Sequence, residues 1–375
     1  MEARKRRYAL LTDGYLADRH AKTAHGMLRY AQDDVVAIVD ARFAGCPLLD
    51  VLPALQQSKT AARHRDVTIV PSVADALRFS PTSLLVGVAT AGGVLPPHFR
   101  AHILEAIDAG LEIVSGLHEF LADDPELVRR AQRSGASLWD VRRPPATIPL
   151  FSGAAYDVPQ IVVLAVGSDC AVGKKSTMIE LAAAARAAGD RAEFIATGQT
   201  GIMISGKGIV VDRVISDFVS GAAEQLVLGV EPGAQYALVE GQGSIVHPAY
   251  AAVTLGLLYG CAPDMLVLCH QAGRTTVEDF DIRVPSLSVL RETYEALLAP
   301  IKPAACVAVA LNTDSLSDDQ ARACIAETKA EMALPADDVV RFGAERLWKA
   351  IRDAGRDLTK SAPRTQAAGL SSKAR

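Results

Sequence analysis

An apolar run, Gln160-Ile-Val-Val-Leu-Ala-Val166, passes directly into Gly167-Ser-Asp-Cys-Ala-Val-Gly-Lys-Lys-Ser-Thr177 and then into the Ala-rich stretch from Met178 to Ala188. A strand, a glycine-bounded loop with lysine and hydroxyls, and a helix in immediate succession form the context of a phosphate-binding loop. In such a loop successive backbone N–H groups wrap an anion, and the helix N-terminus adds partial positive charge. Gly167, Ser168, Asp169, Gly173, Lys174, Lys175, Ser176 and Thr177 are therefore the expected ligand-holding residues. Lys174 would add a charge-assisted hydrogen bond of about 1.5–3 kcal/mol. The plainer alternative is a tight strand–helix turn flanked by surface lysines.

The match departs from the strict G-x-x-x-x-G-K-[ST] pattern in two places. Ser168 stands where the first glycine belongs, with Gly167 one residue earlier. Lys175 stands where a magnesium-binding hydroxyl belongs, and Ser176 follows it. A displaced hydroxyl weakens the magnesium site that nucleotide hydrolysis needs. Such a loop suits holding a phosphate without splitting it, and the 3′-phosphate or pyrophosphate of coenzyme A fits that description.

Around this loop the chain repeats one theme. Short runs rich in Val, Ile and Leu (8–11, 35–39, 84–89, 111–114, 161–166, 192–195, 237–239, 265–268 and 306–311) alternate with helical stretches. The runs lack polar alternation, so they read as parallel strands buried on both faces and joined by right-handed helical crossovers. At 375 residues, two domains are expected. Arg142-Arg143-Pro144-Pro145 to Ser152-Gly153 can continue neither a helix nor a central strand. The expected layout is a Rossmann-like domain over 1–150, a phosphate-loop domain with a mainly parallel sheet over 151–357, and a disordered tail over 358–375: an α/β protein.

The balance of charges excludes some partners. Net charge is -4 and aromatics are 5%, which suits neither a polyanion nor a base-stacking surface. The six cysteines form no CxxC pair and mostly lie in apolar runs, so they read as reduced, buried thiols, and no metal site is expected. No run approaches the roughly 20 apolar residues of a membrane span, and the apolar run near the N-terminus is too short for a signal peptide. A cytoplasmic protein without nucleic-acid or membrane partners is expected, with surfaces for homo-oligomer assembly.

Further candidate site residues gather at strand ends, where open α/β sheets place their binding crevice. Glu240 closes the strand at 237–239 and opens Gly241-Gln-Gly-Ser-Ile-Val-His247-Pro248. It is a candidate base or magnesium-side acid, or else a helix cap. Gly241 and Gly243 would let the backbone approach a ligand. His247 and Asp217 are the other candidate catalytic groups; Asp217 reads otherwise as an N-terminal cap or first-turn acid. Gln199, Thr200, Gln242 and Arg274 are expected to face substrate, Arg274 by bidentate pairing with a carboxylate. In the first domain Asp40 ends a strand where dinucleotide folds place a ribose-binding acid, but the G-x-G-x-x-G fingerprint is missing, so Asp40 reads equally as a cap.

Long segments add a resemblance. They are Ala21-Lys-Thr-Ala-His-Gly26, Gly167 to Lys174, Thr197-Gly-Gln-Thr-Gly201, Asp217-Phe-Val-Ser-Gly-Ala-Ala-Glu224, Val239-Glu-Gly-Gln-Gly-Ser244 and His247-Pro-Ala-Tyr250. Over nearly its whole length the chain resembles the DgcN-type D-glutamate N-acetyltransferase family. More loosely, the loop and the Val239-Glu-Gly-Gln-Gly243 strand end resemble dethiobiotin synthetase. The closer resemblance implies acetyl transfer from acetyl-CoA to an amino acid. The expected mechanism docks the phosphates of acetyl-CoA on the loop and uses His247 as base, ahead of Glu240 or Asp217. The looser resemblance implies an ATP- and magnesium-dependent ligase or kinase acting on a carboxylate. A nucleotide sensor without turnover is a third possibility.

Overall fold

The computed structural model describes residues 5–56 and 63–361. The chain divides between Pro144 and Pro145 into two compact units, and the segment Gln199–Arg213 packs with the first of them.

The first unit is a six-stranded sheet, parallel throughout. Its strands are β1 (Arg7–Leu11), β2 (Asp34–Val39), β3 (Thr68–Val70), β4 (Ser83–Val86), β5 (Glu112–Ser115) and β6 (Leu138–Asp140), in the order β3-β2-β1-β4-β5-β6. Helices α1 (Lys22–Tyr30), α2 (Leu48–Val51), α3 (Val73–Leu77), α4 (Phe99–Asp108) and α5 (Pro125–Ser134) lie between successive strands. Sequence sets their ends. α5 opens with Pro125 behind Asp124, whose carboxylate accepts from the N–H groups of Glu126 and Leu127, and stops at Gly135 in the left-handed region. Asp40 is fully buried. Its carboxylate accepts from Arg42 N, Thr12 Oγ1 and Leu16 N, each at 3.1 Å. Of its two expected roles, the structure realises the cap.

The second unit repeats the plan. Its strands are β7 (Ile161–Gly167), β8 (Ala192–Ile195), β9 (Tyr236–Val239), β10 (Met265–Gln271), β11 (Ala305–Asn312) and β12 (Ala336–Asp337). They form a second parallel sheet in the order β12-β11-β10-β7-β9-β8. Helix α6 (Lys174–Ala187) follows the loop, and α7 (Gln199–Ser205) lies in the segment that joins the first unit. α8 (Val219–Leu228), α9 (Ala251–Cys261), α10 (Leu287–Leu298), α11 (Asp318–Met332) and α12 (Glu345–Ser361) complete the unit. Every residue of β7 is buried. Its Val and Leu side chains each contribute on the order of 1.5–3 kcal/mol. β7 lies between β9 and β10, so the loop leaving β7 has the ends of those two strands on either side.

The expected α/β class is what the structure shows, and both sheets are wholly parallel. The layout differs from the expected one in two respects: the chain divides after Pro144 rather than after residue 150, and α7 and the turn after it belong with the first unit. α12 runs through Ser361, past the expected end of the second domain, and the rest of the expected tail lies outside the described residues. Among the described residues no helix is long and apolar enough to cross a membrane.

Candidate active site

In the loop between β7 and α6 the amides of Ser168 and Cys170 are engaged, donating to Cys269 O at 2.9 Å and Asp169 Oδ1 at 2.7 Å, whereas the start of α6 is left without a side-chain cap. Gly173, the N-cap of α6, has φ +103°, a conformation glycine adopts without a Cβ penalty, and no side chain caps the helix. By contrast, the Ser317 side chain and Gln320 close a capping box on α11. Ala171 also sits in the left-handed region, at φ +54°, which for a residue with a Cβ is stored strain.

The loop lysine folds inward. Lys174 is buried, and its ammonium donates to the carbonyl of Asp169 at 2.7 Å. Burial lowers its pKa, against the opposing pull of Cys170, Cys269, Asp169 and Glu240 around it. Thr177 is buried too, accepting from the Cys269 thiol at 3.6 Å. Lys175 and Ser176 are half-buried. The Ser168 hydroxyl, fully buried, lies 2.8 Å from His270 Nδ1. Burial lowers the pKa of His270, and the Arg274 charge lowers it further.

Asp169 clamps the loop to the chain that follows β10. Its side chain is wholly buried. One carboxylate oxygen accepts from Cys170 N at 2.7 Å, and the other from Arg274 Nη1 and Glu278 N, each at 2.8 Å. Arg274 is held further by Nε and Nη2 donating to Gln271 Oε1 at 3.2 and 2.5 Å. Arg274, expected to face a substrate carboxylate, is thus already paired with a carboxylate of the protein. Residues 271–280 line an open cleft of about 470 Å³ beside this clamp.

On the other side, Glu240 follows β9. It is 4% exposed, and its Oε2 accepts from Thr197 N at 3.0 Å and Gly198 N at 3.1 Å. Burial pushes its pKa up to about 7, against the lowering effect of Lys175, the two backbone bonds and Lys174. Gln242 donates to Thr197 Oγ1 at 3.0 Å. Gly241 has a packing reason of its own: a Cβ there would lie 1.8 Å from the carbonyl oxygen of Ala165 on β7. Gly243 likewise makes room for Tyr250 and Thr254. Buried Tyr294 ties the two loops together, donating to Gly167 O at 2.8 Å and accepting from Ile245 N at 3.0 Å.

His247 is 2% exposed and packs between the rings of Tyr250 and Phe280, with centroids 4.6 and 5.3 Å away. Its Nδ1 accepts from Ala249 N at 3.2 Å. The neutral ring therefore carries its proton on Nε2 and presents a donor there. A ring nitrogen of His247, a carboxylate oxygen of Asp169 and the thiol of Cys170 all lie within 4.8 Å of one another.

The loop residues, Glu240, Gln242, His247 and Arg274 thus all belong to the second unit, on the loops that follow β7, β9 and β10. Gln199 and Thr200 are engaged within the first unit. Gln199 accepts from Arg142 Nε at 3.1 Å and donates to Thr23 at 3.5 Å, and the Thr200 hydroxyl lies 3.5 Å from that of Thr23. Asp217 is exposed in the short 3₁₀ turn Ser216–Phe218 ahead of α8, where it is a first-turn acid, and Phe218 takes the N-cap position of α8. Sequence reasoning passed over Cys170, grouping it with the buried thiols, although it is half-buried. The available signal was its place inside the glycine-bounded loop.

Comparison with known proteins adds the family. Residues 149–348 match the model of the DUF1611_C P-loop domain, and residues 55–144 match that of the DUF1611_N Rossmann-like domain; both are described as domains of unknown function. A D-glutamate N-acetyltransferase of Tritonibacter scottomollicae is 38% identical over 271 residues, 72% of this chain and 80% of that one. Another D-glutamate N-acetyltransferase, from a Pseudoalteromonas species, is 37% identical over 278 residues, 74% of this chain and 83% of that one. The crystal structure of a DUF1611 family protein from Anabaena variabilis superposes with a TM-score of 0.87 at 38% identity, covering 93% of this chain and all of the other.

Proposed function

The chain belongs to the DUF1611 family, and from that premise we propose that it is an N-acetyltransferase moving an acetyl group from acetyl-CoA to the amino group of an amino acid, with D-glutamate the leading acceptor. Two relatives bearing that name, at 37% and 38% identity over most of both chains, support the activity. The observation that carries the reading to this site is Glu240, a buried carboxylate with a pKa raised to about 7, close enough to the loop lysines to feel both. An α-amino group has a reference pKa of about 7.7–8.0 and must lose a proton before it attacks a thioester. A base with a pKa close to neutral is matched to that task.

The hydrogen bonds support a different order of the expected roles. With Nδ1 occupied by Ala249 N–H, His247 offers a proton rather than a lone pair. Its role is then to donate to the thioester oxygen as negative charge develops, and the base role passes to Glu240. The loop cannot serve both ends of one acetyl-CoA, because the pantetheine arm separates the thioester from the phosphates by far more than the reach of a side chain. Because a His247 ring nitrogen lies within 4.8 Å of Asp169 and Cys170 ligand atoms, our reading puts the thioester at the loop, with the nucleotide end extending away from it. The amides and lysines gathered for an anion then receive the oxyanion. Gln242, and the two Arg274 N–H groups beyond its three protein bonds, remain as groups to orient the acceptor.

One observation favours a second reading, a magnesium- and ATP-dependent ligase or kinase: an acid, Glu240, ends the strand beside the loop strand, where nucleotide hydrolases hold magnesium. The two readings separate in one assay. The protein is supplied with acetyl-CoA and D- or L-glutamate, and separately with magnesium-ATP and the same acids. Release of CoA with formation of the N-acetyl product, independent of magnesium, is the expected outcome. Production of ADP with no release of CoA would overturn the acetyl-transfer reading.

A further inference from the structure

We propose that Cys170 carries the acetyl group between donor and acceptor as a covalent thioester. The inference rests on the acetyl-transfer reading and deepens it by adding a nucleophile.

Three observations meet at this residue. Its thiol is half-buried, whereas those of Cys261, Cys269 and Cys306 are buried. It lies in the loop four residues before the first residue of α6, a helix that no side chain caps. The His247 ring, nine-tenths and more buried, and the Asp169 carboxylate have polar atoms within 4.8 Å of the Cys170 thiol. The surrounding charges also suit a thiolate: Lys174 and Cys170 interact electrostatically, with the Lys174 ammonium bonded at 2.7 Å to the carbonyl of Asp169, the residue before Cys170, and the Asp169 carboxylate is neutralised by Arg274 at 2.8 Å. The same cluster could be read as a cation site. However, both oxygens of Asp169 already accept from Cys170 N, Arg274 and Glu278 N, which leaves a poor ligand for a metal.

The transfer balances in two halves. Cys170 loses its proton to solvent and attacks the carbonyl carbon of acetyl-CoA as a thiolate. The bond from that carbon to the sulfur of CoA breaks, CoA leaves as its thiolate, and Cys170 is acetylated. The acceptor amine then attacks the same carbon, the bond to Cys170 breaks, and an amide forms. The amine proton passes to Glu240 and on to solvent, and the Cys170 thiolate is restored. In both halves His247 Nε2–H donates to the carbonyl oxygen. Splitting one acyl transfer into two in this way is the general logic of nucleophilic catalysis, with alternating release and uptake as its kinetic mark.

The test uses the full chain without acceptor. Labelled CoA is mixed with unlabelled acetyl-CoA, and appearance of label in acetyl-CoA is followed; a ping-pong relay catalyses this exchange even when the acylated form never accumulates. The expected result is exchange by the wild type and by the exposed-thiol control Cys46→Ala, with at least a hundredfold loss in Cys170→Ala. Thermal melting would check that this variant is folded. Exchange retained in Cys170→Ala overturns the relay. So does N-acetylation of the acceptor by the wild type with no exchange, which leaves direct transfer and the proposed function standing. Bound zinc lost together with activity in Cys170→Ala and on chelation overturns it in favour of a metal centre. No release of CoA with any acceptor would instead be the failure of the acetyl-transfer reading itself.

Discussion

Replacing Glu240 by Gln offers a quantitative check on the central electrostatic argument. The Glu240 pKa is raised from 4.5 to about 7 by burial. A carboxyl whose pKa is higher in the folded than in the unfolded chain binds its proton more tightly when folded. Its contribution to stability is therefore fully present below pH 4.5 and is lost as pH rises through about 7. At about 1.36 kcal/mol per unit, that window corresponds to roughly 3 kcal/mol. Glu240→Gln keeps the shape and the acceptor oxygen that Thr197 N and Gly198 N need, but it cannot ionise. Urea unfolding of the wild type and the variant, followed by a probe in the second unit, would be compared at about pH 5 and about pH 8. The wild type should lose roughly 2–3 kcal/mol more than the variant over that interval. Parallel stability curves for the two proteins would refute the reasoning, because they would mean that Glu240 ionises freely despite its burial. A wild type that gains stability over the variant as pH rises would refute it more directly, by reversing the sign.

Two other perturbations probe the frame of the site. Gly241→Ala places a methyl group 1.8 Å from Ala165 O on β7, so backbone must shift; a loss on the order of 1–3 kcal/mol is expected, read as a lowered thermal midpoint. Arg274→Ala leaves the wholly buried Asp169 without its cation, and breaking such a pair costs about 3–5 kcal/mol. Calorimetry would measure that loss, and a midpoint unchanged from wild type would show that Asp169 takes up a proton or another partner.

The architecture was legible where strands are long and buried. β7, β10 and β11 are runs of apolar residues that their neighbours cover on both faces, and their apolarity announced them. The short edge strands β3, β12 and β6 (Thr-Ile-Val, Ala-Asp and Leu-Trp-Asp) gave no such signal. They are two or three residues long, and their pairing depends on a neighbouring strand rather than on any pattern of their own. Nor does a chain read in order show that Gln199–Arg213 packs with the first unit; that depends on Thr23, Gly116 and Arg142, which are remote in sequence.

At the site, the loop was legible because a strand, glycines, lysines and a helix coincide within a few residues. The roles of single residues were less so, because each depends on what lies opposite. The sequence offers Arg274 as a free guanidinium, yet Asp169 sits 105 positions away in the chain and 2.8 Å away in space. His247 reads as a base from its type and place, but the sequence does not show that the Ala249 N–H, two residues on, donates to its Nδ1. Glu240 looks like any strand-end acid until burial lifts it towards neutrality. The loop itself specifies a place for negative charge without saying whether that charge is a phosphate brought by a ligand or an oxyanion that exists only during transfer. What separates those cases is the company the loop keeps. A phosphate anchor needs only its amides and its lysine. This loop also holds a half-buried thiol, with a buried imidazole against it and a carboxylate of raised pKa beside its lysines, and that company is why acyl transfer is proposed here rather than a phosphate anchor alone.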